Sequence, residues 1–167
     1  MVRRDFVIRA WPEPMGSDHM SAAVHHHRHL TFAAGSGASP VREGRAFTRQ
    51  ALADWRLAPS TTGDDAQLVA SELLTNAVRY TAGPLAMDLD DDGSRLRITV
   101  TDPRADITPP DPGGHRPARI GGHGLFIVDR LALQWGAFPE GRGKTVWADL
   151  LLPGRPTDPG AVRPRSS

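Results

Sequence analysis

Glu72 and Asn76 are the first residues in the sequence whose types and spacing could support chemistry. Because they stand four residues apart, they lie together on one face of an α-helix, at the edge of an apolar stripe. A carboxylate that borders the core is costly unless it is solvated in a pocket, paired or used in chemistry, and an amide oxygen is a suitable ligand for magnesium. The alternative is an ordinary helix flank that carries two solvated polar side chains.

Asp102 is the second candidate, because it stands at the end of a predicted strand. Leu96, Ile98 and Val100 alternate with polar residues, and the aspartate falls on the same face as these apolar side chains. An acid aimed at the core needs a hydrogen-bond donor, and the exocyclic amine of adenine is a neutral donor that fits an apolar pocket. The alternative is that the strand ends one residue earlier, so that Asp102 turns into the loop before Pro103.

A long loop and a glycine cluster follow this strand. Residues 103–120 are rich in proline, and loops of more than ~15 residues in compact domains tend to be functional lids or disordered insertions. Gly121, Gly122 and Gly124 would allow close backbone approach at the start of a helix, whose free N–H groups and dipole attract phosphate. We therefore predict a phosphate-binding lid at about 103–123, although a flexible linker would contain similar glycines. The spacing does not match a Walker-type P-loop.

The elements that must position these residues can be predicted from apolar periodicity. Helices should begin at Ser39–Pro40 and near Asp64, and a hairpin with its turn at Asp92–Gly93 should follow the second helix. The predicted order is a strand over 29–33, two helices, strands around 85–89 and 96–100, a helix over about 124–135 and a strand over 144–152. This order indicates an α/β (α+β) two-layer sandwich, in which about three helices cover one face of a mixed, mostly antiparallel sheet.

Composition restricts the class of protein. The chain has 167 residues, 39% of them hydrophobic, and no cysteine, which suits one domain without disulfides or thiolate metal sites. No apolar run approaches the ~20 residues of a membrane span, so we expect a cytoplasmic protein that does not contact membranes. The net charge of +1 provides no overall field for direct nucleic-acid binding.

We expect an ordered domain over 29–153 between two disordered tails, 1–28 and 154–167, because both ends are rich in proline and lack sustained periodicity. A cluster of histidines lies where the first tail meets the domain: His25, His26, His27 and His29. These side chains could bind a transition metal, but in a flexible tail without complementary carboxylates we expect any such binding to be adventitious.

Four weak motifs occur in a characteristic order. They are Glu72-x-x-x-Asn76, Asp102 at a strand end, Gly122-x-Gly124 before a helix, and Gly141-x-Gly143-x-Thr145 before the last strand. Together they resemble the GHKL, or Bergerat-fold, ATPases and kinases. Within that superfamily the chain looks most like the small single-domain ATP-binding proteins related to anti-sigma-factor serine/threonine kinases. The resemblance covers roughly residues 29–153 and implies the Bergerat ATP-binding fold.

The resemblance also implies a ligand set and residue roles. ATP and Mg²⁺ would be bound, with Glu72 as catalytic base, Asn76 as magnesium ligand and Asp102 as acceptor for the adenine amine. The glycine region would line the phosphates, and a threonine in the last motif would support the adenine through a hydrogen bond or a bound water. The implied nucleotide-binding residues are therefore Asn76, Asp102, Gly121, Gly122, Gly124, Leu125 and Thr145.

The activity implied by the resemblance is that of a serine/threonine kinase of the anti-sigma-factor type, which phosphorylates an anti-anti-sigma partner and captures a sigma factor on another surface. A regulatory module that binds ATP without phosphotransfer is the alternative, and a purely structural interaction domain is a third. Many relatives follow the adenine-binding aspartate with a D-x-G-x-G pattern, whereas this chain has Pro103-Arg104-Ala105 after Asp102. The sequence leaves open whether transfer survives this change and whether a homodimer forms.

Overall fold

The computed structural model describes residues 25–34, 37–105 and 123–152. Within these ranges the chain forms five strands and three helices. In chain order they are β1 (His26–Thr31), α1 (Pro40–Asp54), α2 (Thr61–Tyr80), β2 (Ala86–Asp91), β3 (Arg95–Asp102), α3 (His123–Leu131), β4 (Gln134–Glu140) and β5 (Gly143–Leu151). None of the described helices combines the length and the apolar character that crossing a membrane requires.

The five strands form one sheet in the order β1-β2-β3-β5-β4. Each of the four described strand pairings is antiparallel, including the pairing of β3 with β5 across the connection that contains α3. The predicted α+β fold is confirmed, and the described sheet is antiparallel throughout rather than mixed. Strands β3 and β5 lie in the interior of the sheet, so each has its backbone hydrogen bonds satisfied on both sides.

Helices α1 and α2 begin at serine caps. The Ser60 hydroxyl accepts a hydrogen bond from the N–H of Gly63 at 3.0 Å, which pairs one of the donors that an α-helix leaves unsatisfied at its start. The Ser39 hydroxyl caps α1 in the same way, with Pro40 in the first turn. Because Ser60 supplies the cap, α2 begins three residues before the predicted Asp64.

The hydrophobic core lies between the helices and one face of the sheet. Alternate side chains of the central hairpin point to this face and are fully buried: Met87, Leu89, Leu96, Ile98 and Val100. The apolar stripe of α2 packs onto them and is likewise buried: Ala66, Val69, Ala70, Leu73, Leu74 and Ala77. Burial of each large apolar side chain contributes ~1.5–3 kcal/mol before the cost of ordering the chain, so this interface holds α2 firmly on the sheet.

The segment after α3 differs from the prediction. A helix was predicted to about residue 135, but α3 ends at Leu131 and Gln134–Glu140 forms the edge strand β4. Trp135 lies opposite Ala148 of β5, and its indole N–H donates to the Asp129 carboxylate at 3.0 Å. The apolar spacing of this segment suits a helix, but pairing with β5 satisfies its backbone groups and decides its conformation.

Strand β1 begins inside the predicted N-terminal tail, at His26. Three of its histidines contact carboxylates of the neighbouring strand: His26 Nδ1 lies 3.2 Å from Asp91, His27 Nδ1 lies 2.8 Å from Asp90, and His29 Nδ1 lies 2.6 Å from Asp88. Among the described residues, no group of three or more histidine, cysteine or acidic side chains is arranged to hold a metal ion. The histidine side chains of β1 therefore contact aspartate side chains of β2 across the strand pair.

We predict that Gly143→Ala destabilises the protein, because a Cβ at this position would collide with the carbonyl oxygen of Asp102. That oxygen belongs to the paired strand, so relief requires β3 and β5 to separate where Asp102 is held, at a cost of ~1–3 kcal/mol or more. Urea denaturation would measure the loss. Arg142→Ala, one residue away in the exposed turn, is the control and should change the free energy of unfolding by less than ~0.5 kcal/mol. Equal stability of the two variants would contradict the predicted close approach.

Candidate functional site

Helices α2 and α3 meet at the Glu72 carboxylate. A Cβ at Gly124, in the first turn of α3, would overlap Glu72 Oε2 and would lie 3.7 Å from Asn76 Oδ1. The backbone of α3 therefore passes close to the two polar side chains of α2, and the Glu72 side chain would have to move to admit a Cβ at this position. The structure brings together three of the residues that the sequence singled out, at the start of α3, and the first N–H groups of an α-helix have no partner within the helix.

The Asn76 side chain is the least satisfied polar group at this meeting point. Its Nδ2 atom is buried and has no hydrogen-bond partner within the described part of the chain. Burying an amide without a partner costs ~1–3 kcal/mol, so such a group is expected to have a ligand or water as its partner. The Oδ1 atom of the same amide lies on the side of Gly124 and Glu72, and an amide oxygen is a hard ligand suited to magnesium. The Asn76 amide oxygen thus fits Mg²⁺.

Asp102 occupies the last position of β3 on the helix-covered face of the sheet. Its side chain is buried, with 3% of the residue exposed, which rules out the alternative that it turns into solvent. Its Oδ1 atom accepts a hydrogen bond from the N–H of Arg104 at 2.9 Å. Burial raises the pKa of Asp102 above its ordinary value, and the Arg104 N–H and the charges of Lys144 and Arg104 offset only part of that effect.

The residue after this aspartate connects it to α2. The Arg104 guanidinium donates to the backbone oxygen of Tyr80, the last residue of α2, at 3.2 Å. Asn76 lies one turn before Tyr80, and α2 packs across β3. The end of β3 and the polar face of α2 therefore lie at one end of the domain, as the predicted site requires.

Thr145 does not share this side of the sheet. The register pairs Thr101 with Thr145 and Asp102 with Lys144, and successive residues of a strand point to opposite faces. The Thr145 hydroxyl lies 2.7 Å from that of Thr101 and also contacts the Glu140 carboxylate, on the face away from the helices. The side chain beside the aspartate is that of Lys144, whose Nζ lies 4.0 Å from Asp102 Oδ2.

Lys144 was missed by the motif comparison, but the sequence contains a signal for it. The core-facing residues of β5 alternate, with Val146, Ala148 and Leu150 opposite Val100, Ile98 and Leu96 of β3. Counting back by two from Val146 arrives at Lys144 and not at Thr145. The alternation of the last strand therefore identifies the residue that faces the site.

The remaining predicted positions divide into two groups. Leu125 is buried, with 7% of the residue exposed, and belongs to the hydrophobic core, so it anchors the first turn of α3. Gly121 and Gly122 lie outside the described residues, as does most of the lid predicted at about 103–123.

We predict that Asp102→Asn weakens ATP binding by at least about tenfold, because the charged acceptor for an amine is lost. The variant should be at least as stable as the wild type at neutral pH, where ionised Asp102 carries its burial cost. Since the folded-state pKa is raised, that cost disappears as the pH falls through it, and the two stabilities should converge in mild acid. Calorimetric titration and urea denaturation at both pH values provide the test. Unchanged ATP affinity would contradict a role for this carboxylate in binding.

Comparison with known families agrees with this arrangement. The model of the histidine kinase-like ATPase domain matches residues 37–149, a segment that contains α1 through most of β5 and every predicted site residue. No curated protein matches the sequence significantly. The matched segment covers more than half of the chain and contains the three described helices and all or most of four of the five described strands. The whole five-stranded antiparallel sheet with its helices is an α+β fold consistent with that domain. The chain therefore belongs to the histidine kinase-like ATPase family of the GHKL superfamily, whose domains bind ATP, usually with Mg²⁺.

Proposed function

We propose that this protein is an ATP-dependent serine/threonine kinase of the anti-sigma-factor type, which phosphorylates an anti-anti-sigma partner and so regulates transcription. The observation that carries the proposal is the position of the Glu72 carboxylate, held against the glycine backbone at the start of α3 and beside the unsatisfied amide of Asn76. A base next to a phosphate-binding helix start is the arrangement that phosphoryl transfer to a hydroxyl needs.

In the proposed reaction, Glu72 accepts the proton of an incoming serine or threonine hydroxyl. The hydroxyl oxygen forms a bond to the γ-phosphorus as the bond between that phosphorus and the bridging oxygen of ADP breaks. Mg²⁺, when bound, neutralises charge on the phosphates, and Asn76 is the residue that would hold it. The backbone N–H groups at the start of α3, exposed by Gly124, supply further hydrogen bonds to phosphate.

A regulatory module that binds ATP without transfer is the second candidate. The segment after Asp102 favours it, because Pro103-Arg104-Ala105 replaces the glycines of a D-x-G-x-G pattern and Arg104 is fixed to the end of α2. Both candidates require Asn76 and Asp102 to bind the nucleotide, and they differ in whether the hydroxyl proton has to be removed. Glu72 is therefore the residue that separates them.

For the protein partner, we propose the exposed face of α1 as the docking surface. Arg42, Arg45 and Arg49 lie on one face of this helix at helical spacing, and all three are exposed. They border a surface groove of about 290 Å³ that is also lined by Ser39, Val41 and Ala46. Within the described residues, these three arginines form no ion pair with an acidic side chain. A basic, unneutralised face of this kind complements an acidic surface on a protein partner.

We predict that Glu72→Gln leaves ATP affinity within about threefold of the wild type but lowers phosphotransfer by at least ~100-fold, because the amide cannot accept the proton. Transfer of labelled phosphate from ATP to the cognate anti-anti-sigma protein would be measured beside calorimetric ATP titration. Gln67→Ala, one turn earlier on α2 and outside the site, is the control and should change neither quantity. If Glu72→Gln transferred phosphate at the wild-type rate, Glu72 would not be the base. If the wild type bound ATP and transferred nothing, the regulatory module would be supported.

We predict that Arg45→Glu weakens binding of the acidic partner by about tenfold or more, chiefly through slower association that depends on salt concentration. Arg142→Glu makes the same charge change in the exposed β4–β5 turn and is the matched control. Surface plasmon resonance with the anti-anti-sigma protein at two salt concentrations would measure both variants. Equal losses in the two variants would indicate a general charge effect and would contradict docking on α1.

A further inference from the structure

Lys144 lies beside Asp102, so a ligand that binds the Asp102 carboxylate would also lie close to the Lys144 side chain. The two residues are opposite each other in the β3–β5 pairing, so both point to the helix-covered face of the sheet. The side chain of Lys144 is largely buried, with 17% exposed, and its Nζ atom is 4.0 Å from Asp102 Oδ2. Since an N–H···O hydrogen bond spans about 2.7–3.2 Å, these groups are close without being joined by a direct hydrogen bond.

The backbone places the two residues opposite each other. Gly143 packs directly on the carbonyl group of Asp102, which holds the end of β5 against the end of β3. Asp102 Oδ1 is engaged by the N–H of Arg104, so Oδ2 is the oxygen that faces Lys144. A carboxylate oxygen and an ammonium group therefore lie side by side in a mostly apolar wall, one as an acceptor and the other as a donor.

Such a pair is complementary to one edge of adenine. That edge carries an amino group, which donates, next to ring nitrogen N1, which accepts. Asp102 alone can recognise only the amino group, and the ring nitrogen would need a donor from another source. Because Thr145 lies on the opposite face, its hydroxyl cannot supply that donor, whereas the ammonium group of Lys144 is on the correct face.

We propose that Lys144 is a second base-contacting residue, which donates a hydrogen bond to N1 of adenine while Asp102 accepts one from the amino group. This inference rests on the proposed ATP site and adds to it a determinant of nucleotide specificity. The lysine also neutralises the buried carboxylate when no amine of a base is present. Asp102 and Lys144 together therefore select a ring with a donor and an acceptor on neighbouring atoms.

The test compares ATP with 1-deaza-ATP, in which N1 is replaced by C–H and the amino group is retained. Affinities for both nucleotides would be measured by calorimetric titration on the wild type, Lys144→Met, Lys144→Arg and the control Arg142→Met. We expect the wild type to bind ATP about tenfold or more tightly than 1-deaza-ATP, since a hydrogen bond from a charged donor is lost. Lys144→Met should bind both equally, Lys144→Arg should regain part of the preference, and Arg142→Met should match the wild type.

Equal affinity of the wild type for the two nucleotides would overturn the role of Lys144, and so would a full preference retained by Lys144→Met. The comparison within the wild type does not depend on any variant folding correctly. Binding is measured without phosphotransfer, so the result is separate from the kinase proposal. Tight ATP binding with the expected preference but without transfer would overturn only the kinase, whereas a wild type that bound no ATP would overturn both.

Discussion

Asp102 places a carboxylate inside the protein at the end of a mostly apolar face of the sheet, and the rest of the site depends on how that burial is tolerated. The cost of removing an ionised group from water is offset in part by one backbone N–H and by the nearby charge of Lys144. Both come from the β3–β5 pairing and the turn that follows it. Gly143 lets the two strands approach closely at this residue, because it has no side chain to collide with the Asp102 carbonyl group.

The second half of the site reaches this end of the domain through helix packing. Helix α2 lies across the sheet on its stripe of small and aliphatic residues, and Gly44 of α1 allows the close approach of Leu74 that holds α2 from the other side. Because Glu72 and Asn76 flank the buried stripe, the contacts that bury the stripe also orient them. The bond from Arg104 to the Tyr80 carbonyl then joins the end of α2 to the end of β3. The polar groups of the candidate site are therefore positioned by elements that belong to the core.

Much of this arrangement could be predicted from the sequence where local pattern and tertiary structure agree. The alternation of Leu96, Ile98 and Val100 predicted correctly that Asp102 points inward, because every second side chain of a strand lies on the same face of the sheet. The segment 134–140 was predicted wrongly, because its apolar spacing suits a helix and its strand conformation comes from pairing with β5. The motif suggested Thr145 as the residue that supports the adenine, and it did not suggest Lys144. A motif specifies residue types, but the strand register decides which side chain lies on the face of Asp102.

Two groups in the described part of the chain remain energetically unfavourable when the protein is considered alone. They are the Asp102 carboxylate, whose pKa is raised by burial, and the Asn76 amide nitrogen, which is buried without a partner. Each costs folding free energy, and both lie at the end of the domain where α2, α3 and β3 meet. A ligand that brings an amine to the first and a hydrogen-bond acceptor to the second would relieve both costs at once. ATP, which domains of this family bind, carries an amine at one end and phosphate oxygens that accept hydrogen bonds at the other, so in the proposed site a single ligand would relieve both costs.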